Sequence, residues 1–217
     1  DAVWATFAEM GLVALALPEE DGGFGGGALD LMAAMEACGR ALVVEPLLDH
    51  IALGARLLAK AGNAAQRAAW LPGAIDGSVK LAFAGLEPGR RYELAPATTT
   101  ARRQGAGYVL SGAKSVVIGA PTATRLIVSA RSDEGPSLFV VDPAQAGVSM
   151  SPCRTVDGQR AADVTLAEVT VGADSLLDRE GRPGGALPFI EEATDFATAL
   201  LCAEAVGAMQ SANDATL

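Results

Sequence analysis

The hydrophobic period of this chain changes twice, and that change constrains the fold more than any single residue. Before residue 77 the apolar residues recur at helical spacing. From about residue 80 they come in short runs punctuated by Gly and Pro. Near residue 183 the helical spacing returns. A face repeating every 3.6 residues buries as a helix, and a period of two buries as a strand. The reading is α+β in three parts: an α-helical domain at 1–77, a β-domain at 78–182, and the start of a helical bundle at 183–217.

Within the first part, Trp4, Phe7, Ala8 and Leu12 share a helical face and Gly11 interrupts it. Residues 18–27 form a polar, Gly-rich loop. Asp30 is placed to cap a helix over 31–40, with Leu31, Met35 and Cys38 on one face. Leu48, Ile51, Ala52, Ala55 and Leu58 form the next stripe, ended by Gly62. Asn63 and Gln66 have the spacing of a capping box. Strands are predicted at 80–86, 98–103, 108–110, 114–117, 126–130, 138–141 and 164–169, with a hairpin turn at Gly105-Ala106-Gly107. Such regular spacing predicts an antiparallel barrel or sandwich. Ile190, Ala193, Ala197, Leu200, Leu201, Ala205 and Ala208 then fit one face of a long helix. The chain starts without Met and stops inside this pattern, which reads as a piece of a longer protein.

Composition removes several function classes. The chain has 217 residues and a net charge of -10, which opposes nucleic-acid binding because that needs cations to displace counterions. No apolar run reaches membrane-spanning length, and no secretory leader precedes the first helix. Cys38, Cys153 and Cys202 are scattered, so buried, reduced thiols in a cytoplasmic protein are expected. The lone His50 has no His or Cys partners, and no metal site is expected. Gly23-Phe24-Gly25-Gly26-Gly27-Ala28 fits a loose dinucleotide pattern. Asp30 stands where a pyrophosphate would need positive potential, and no βαβ alternation follows. Glu19/Glu20 and Glu191/Glu192 read as solvated pairs. Glu204 reads as a carboxylate at the edge of a helix face that meets a partner chain. These features alone leave the activity open.

Several ordered blocks add to that reading. The segment Gly11-Leu12-Val13-Ala14-Leu15-Ala16-Leu17-Pro18-Glu19-Glu20-Asp21-Gly22-Gly23 is similar to a "GL…PE…GG" signature. Phe83-Ala84-Gly85-Leu86-Glu87-Pro88-Gly89 resembles a "TEPxxGSD" block, and Gly107-Tyr108-Val109-Leu110-Ser111-Gly112-Ala113-Lys114 a "GYxLxGxK" hairpin. Leu138-Phe139-Val140-Val141-Asp142, the run 155–164 and Ala203-Glu204-Ala205-Val206-Gly207-Ala208-Met209 continue the series. In this order they resemble the acyl-CoA dehydrogenase family, and most nearly its pimeloyl-CoA-type small subunits.

The resemblance implies a helical domain, a β-domain and a C-terminal four-helix bundle. It also implies FAD-dependent α,β-dehydrogenation of an acyl-CoA thioester. A carboxylate takes the α-proton and the flavin accepts the β-hydride, because a saturated C–C bond needs a hydride acceptor. Phe83, Leu86, Val117 and Ile118 correspond to cofactor-binding positions, and Arg91 and Tyr92 to substrate-binding positions. Arg90 and Arg91 border the CoA path and suit its phosphates. The implied partners are a related subunit, in a homo- or hetero-oligomer, and an electron-transferring flavoprotein.

Departures from the family pattern fall at the flavin. Leu86 replaces a Thr, Arg91-Tyr92-Glu93 replace "GSD", and Val116 and Ile118 replace an aromatic residue and a Thr or Ser. Backbone N–H groups at Leu86 and Ile118 remain available to hold a flavin. Ala197 stands where some members carry the base, so no base is assigned, and one is expected beyond residue 217. Three readings follow: a flavin-bearing subunit, a flavin-poor scaffold completing a partner's site, and a binding module that keeps only the fold.

Overall fold

The computed structural model describes residues 2–177 and 184–216. Helix α1 (Ala2–Glu9) buries Trp4. Gly11 then turns the chain at φ +74°, a conformation that favours glycine. Helix α2 (Ala28–Arg40) starts three residues before the predicted one. Asp30 is not its N-cap residue. It sits at the third helical position, and its carboxylate accepts the Gly27 N–H at 2.8 Å. The expected face of Leu31, Met35 and Cys38 is buried.

The stripe from Leu48 is not a continuous α-helix. Asp49–Ala55 is a π-helical segment that continues into α3 (Arg56–Ala61). Ile51, Ala52, Ala55 and Leu58 are all buried. The backbone of Gly54 lies so close to the first strand that a Cβ would fall 2.6 Å from Leu81. Helix α4 (Ala64–Ile75) carries the predicted capping box: Gln66 N–H donates to Asn63 at 3.0 Å and Asn63 N–H to Gln66 at 2.9 Å. The Gln66 amide also donates to the Asp174 and Leu176 carbonyls, which ties α4 to the β-segment.

Eight strands follow: β1 (Leu81–Ala84), β2 (Thr100–Gln104), β3 (Gly107–Ile118), β4 (Arg125–Ser132), β5 (Gly135–Val141), β6 (Val148–Arg154), β7 (Arg160–Val171) and β8 (Leu176–Leu177). They form one sheet in the order β6-β7-β3-β2-β4-β5-β8, with β1 added on β4. The sheet is mostly antiparallel. Two pairings depart from that expectation, because β4 takes both β1 and β2 in parallel.

The hairpin turn is Gly105-Ala106, closed by Gln104 opposite Gly107. Residues 108–110 and 114–117 belong to one strand, bent at two register shifts against β7. Strand β6 escapes the sequence reading because it is an outer strand whose last residues, from Ser151 to Arg154, are all exposed. Its alternation is confined to four residues, with Val148 and Met150 half-buried against the sheet core and Ser149 and Ser151 exposed.

Side-chain alternation splits the sheet between two cores. Leu126, Val128 and Ala130 of β4 join Phe139 and Val141 of β5 on one face. Ile127, Leu138 and Val140 point the other way, against Leu57, Leu58 and Leu71 of α3 and α4. A third core joins Trp4, Leu31, Met35 and Ile51 to helix α5 (Leu187–Thr216) through Leu200 and Ala203.

The boundary expected at 182/183 lies outside the described residues. The buried stripe of α5 follows Ile190, Ala193, Ala197 and Leu200, as expected, then continues through Ala203 and Gly207. Leu201 and Ala205 are exposed instead. The stripe shifts because α2 packs against α5 at Gly39 and Gly207, where only the absence of side chains allows the approach. A Cβ on Gly39 would lie 1.9 Å from the Glu204 carbonyl, and one on Gly207 1.9 Å from that of Glu36. Of the three thiols only Cys38 is buried. Cys153 and Cys202 are exposed, on an outer strand and on the open face of α5, which corrects the expectation of three buried thiols.

Candidate functional site

A cleft of about 250 Å³ opens where the β-segment meets the π-helical segment and α5. The end of β1 contributes Phe83 and the loop after it Leu86. Strand β3 contributes Val116 and Ile118, and α5 contributes Ala197 and Leu201. The walls are thus mainly apolar.

Local geometry explains how the sheet supplies this wall. The register shift between Lys114 and Val117 is a β-bulge, which re-aims side chains. Val116 takes φ +49°, strained for a β-branched residue, and its N–H donates to Asp163 at 2.9 Å. The bulge turns Val116 and Ile118 to the cleft. Gly85 lets the Phe83 ring fold back over the chain, since a Cβ there would lie 2.4 Å from that ring.

The loop carrying Leu86 is anchored from below. Lys114, fully buried, donates to the Gly85 carbonyl at 3.2 Å, to Glu87 at 3.2 Å and to Ser129 at 3.0 Å. Glu87 accepts the N–H groups of Ala97, Thr98 and Thr99 at 2.8–3.0 Å, together with the Thr98 hydroxyl at 2.9 Å. Burial alone would raise the Glu87 carboxyl. The backbone donors at Thr98, Thr99 and Ala97 outweigh it and hold the group well below the usual carboxylate range. Burial pulls the Lys114 ammonium down to about 8 against the attraction of Glu87. These two residues position the loop and do not line the cleft.

The predicted residues separate into two sets. Phe83, Leu86 and Ile118 come together in the cleft, with Ala197 across from them. Val117 faces away, buried in the sheet core. Arg91 and Tyr92 lie on an exposed loop outside the cleft, with Tyr92 91% exposed. Arg90 pairs with Glu93 on the same loop. The Leu86 N–H has no hydrogen-bond acceptor among the described residues, while its carbonyl accepts Ser115 N–H at 3.0 Å.

Sequence reasoning missed Asp49. It is the single ionisable side chain among the residues lining the cleft, and it also borders a small recess with Cys38, Gln159 and Glu204. Burial raises its carboxyl to about 7, and the charges of Glu204 and Asp157 add to the rise. Glu204 is raised by burial and by Asp157. It lines a recess within its own chain, which accounts for its half-buried state without a partner. In sequence, Asp49 looks like an ordinary acid at a helix start. The one available signal is its place inside an otherwise apolar stripe.

His50 is fully buried and structural. Its Nδ1 accepts the Leu81 N–H at 3.1 Å and its Nε2 meets the Ala74 carbonyl at 3.1 Å. No group of acids, His or Cys among the described residues is arranged to hold a metal. The glycines at 22–27 follow a 3-10 turn and not a strand, so they form no dinucleotide loop. Glu20 pairs with Arg67, and Glu192 with Arg56 and Lys60. No described helix is long and apolar enough to cross a membrane.

Residues 1–78 match the acyl-CoA dehydrogenase N-terminal domain, and residues 82–171 the middle domain. The chain is 36% identical over 189 residues to acyl-CoA dehydrogenase FadE12 of Mycobacterium tuberculosis, covering 82% of this chain and 48% of that protein. A solved variant of the steroid ACAD Tcur3481-Tcur3483 is 34% identical, with a TM-score of 0.83, covering 97% of this chain and 55% of its own. The ChsE4-ChsE5 complex from Mycobacterium tuberculosis is 25% identical, with a TM-score of 0.84 over 97% of this chain and 54% of its own. The chain spans about half the length of the curated relatives it matches. With two matched domains in family order and a shared fold of helices, sheet and leading bundle helix, this chain belongs to the acyl-CoA dehydrogenase family.

Proposed function

We propose that the protein is a subunit of an FAD-dependent acyl-CoA dehydrogenase that converts an acyl-CoA thioester to its enoyl-CoA. The observation that carries this reading is the cleft, where Phe83, Leu86 and Ile118 face Ala197 across apolar walls. The three units of the fold are taken as 1–77, 78–182 and 183–217.

The residues present fit the planar isoalloxazine ring of a flavin, whose dimethylbenzene part is apolar. The unused Leu86 N–H offers one donor at the cleft, and Phe83 and Ile118 supply dry walls. Bound FAD would supply a hydride acceptor for the β-carbon. Val117 supports the wall from behind by packing the strand. Arg91 and Tyr92, with Arg90, are assigned to the CoA portion, which lies outside a cleft this small. The carboxylate base is assigned to a part of the protein beyond residue 217. An electron-transferring flavoprotein is the proposed acceptor, and the cytoplasm the proposed compartment.

A second reading is a flavin-poor scaffold that completes a related subunit's site, as in a pimeloyl-CoA-type enzyme. It is favoured by Leu86 and Ile118, which place no hydroxyl where the family bonds its flavin, by Val116, which replaces an aromatic residue, and by Tyr92, which departs from the family block. The ChsE4-ChsE5 complex is a relative that assembles from two named components.

The test is the flavin content of the complete protein, purified alone and then co-expressed with a homologous subunit. Flavin on the protein alone supports the first reading. Flavin only in the complex supports the second. Flavin in neither, together with no dehydrogenation, sinks both.

A further inference from the structure

We infer that Asp49 selects the acyl chain, favouring one that carries a hydroxyl on the part lodged against it over a plain alkyl chain. This rests on the acyl-CoA reading of the cleft and names the substrate class that the cleft would take.

The argument starts from what the walls offer. Phe83, Leu86 and Ile118 form the side assigned above to the flavin, and the opposite side, with Leu48, Leu53 and Leu201, suits an alkyl chain. Among the described lining residues the polar side chains are four: Ser115, a neutral hydroxyl on the β3 side, Thr194, Thr198 and Asp49. Thr194 and Thr198 donate their hydroxyls to the Ile190 and Thr194 carbonyls, at 2.7 and 2.8 Å, so toward an occupant they act only as acceptors. Asp49 is the remaining strong group. It is half-buried at the wall between the cleft and the recess that holds Glu204.

The charges that act on Asp49 are those of Glu204 on α5 and Asp157 on the loop between β6 and β7. Both are acidic, so Asp49 is not neutralised by them. An alkyl chain in the cleft would strip water from this carboxyl and return nothing. A hydroxyl answers it in either protonation state. It donates to the carboxylate, and it accepts from the carboxylic acid. It can also donate to Thr194 or Thr198.

Buried polar groups discriminate strongly against a ligand that leaves them unpaired, whereas apolar pockets distinguish chains by only one or two orders of magnitude. A carboxyl in an apolar cleft therefore sets preference more than its area would suggest.

The experiment compares straight-chain acyl-CoA thioesters of several lengths with their ω-hydroxy counterparts, using the complete protein with its flavin. Both Kd and kcat/KM are read. At the chain length that reaches Asp49, the hydroxylated thioester is expected to be preferred by at least about tenfold. Asp49→Asn, which keeps donors and acceptors, retains a preference. Asp49→Leu removes or inverts it, while melting temperature reports its folding. A wild-type protein that favours the plain chain at every length overturns the inference, as does an Asp49→Leu ratio equal to the wild-type one. If neither series binds at all, the acyl-CoA reading itself fails, which is a distinct result. Should Asp49→Leu not fold, the wild-type ratio and Asp49→Asn still decide the matter.

Discussion

Lys114 Nζ lies 3.2 Å from Glu87 Oε1, with the two side chains 0% and 3% exposed. This pair joins strand β3 to the loop that forms one lip of the cleft. Removing one partner leaves a buried charge without compensation, which costs about 3–5 kcal/mol. Lys114→Met and Glu87→Gln are each expected to destabilise the fold by that order in urea denaturation. The double variant should cost less than the sum of the two.

The same pair makes an acid-sensitivity prediction. The folded Glu87 carboxyl sits below its ordinary value of 4.5, so its contribution is present above that pH. It is lost as pH falls below 4.5 towards the folded value. Stability of the wild type should drop in this range, and Glu87→Gln should flatten the slope. Equal slopes in the two proteins would contradict the assignment.

His50 is held neutral. Because Nδ1 accepts the Leu81 N–H, the proton resides on Nε2, which donates to the Ala74 carbonyl. Burial lowers its pKa from 6.5 to about 4. The unfolded chain therefore binds the proton more tightly, and stability is lost as pH falls from 6.5 to 4. The loss is on the order of 3 kcal/mol. His50→Leu should remove this pH dependence. It should also cost about 2–4 kcal/mol at neutral pH, because a backbone donor and acceptor lose their partner.

Gly39→Ala and Gly207→Ala address the crossing of α2 and α5. Each new Cβ would meet a facing carbonyl at 1.9 Å, and backbone cannot rotate away as a side chain can. Each is expected to cost at least about 1–3 kcal/mol, the usual penalty of overpacking. Ala for Gly raises helix propensity by only about 1 kcal/mol. Thermal unfolding of the two variants would check the sign, and a stabilised protein would refute the close approach.

Leu86→Thr with Ile118→Ser restores two hydroxyls at the cleft wall. Each hydrogen bond is worth about 0.5–1.5 kcal/mol, so flavin retention should rise by about tenfold for the pair. No gain in the flavin-to-protein ratio would mean that the cleft is closed to flavin by more than these two side chains.

Local features were legible in the chain itself. The Asn63 and Gln66 box, the turn at Gly105 and the period change near residue 80 all depend on residues within four positions of one another. The family blocks were legible because their order is a linear property. The misreadings are also instructive. Asp30 reads as a cap from sequence alone because Asp suits both the cap and the first helical turn, near the positive helix end. Strand β6 is hard to read because its alternation, Val148 to Ser151, is short and its remaining residues are exposed at the edge of the sheet.

The amino-acid order by itself determined the helix, strand and helix succession, and with it the family, since both follow from short-range patterning. Only the tertiary structure decided that Asp49 shares a cleft with Leu86 and Ala197. It also decided that β1 runs parallel on β4, that α2 crosses α5 at two glycines, and that His50 bridges Ala74 and Leu81. These relations join residues tens to hundreds of positions apart. Their free energy comes from burial and from pairing of buried polar groups, which arise only when the distant segments meet.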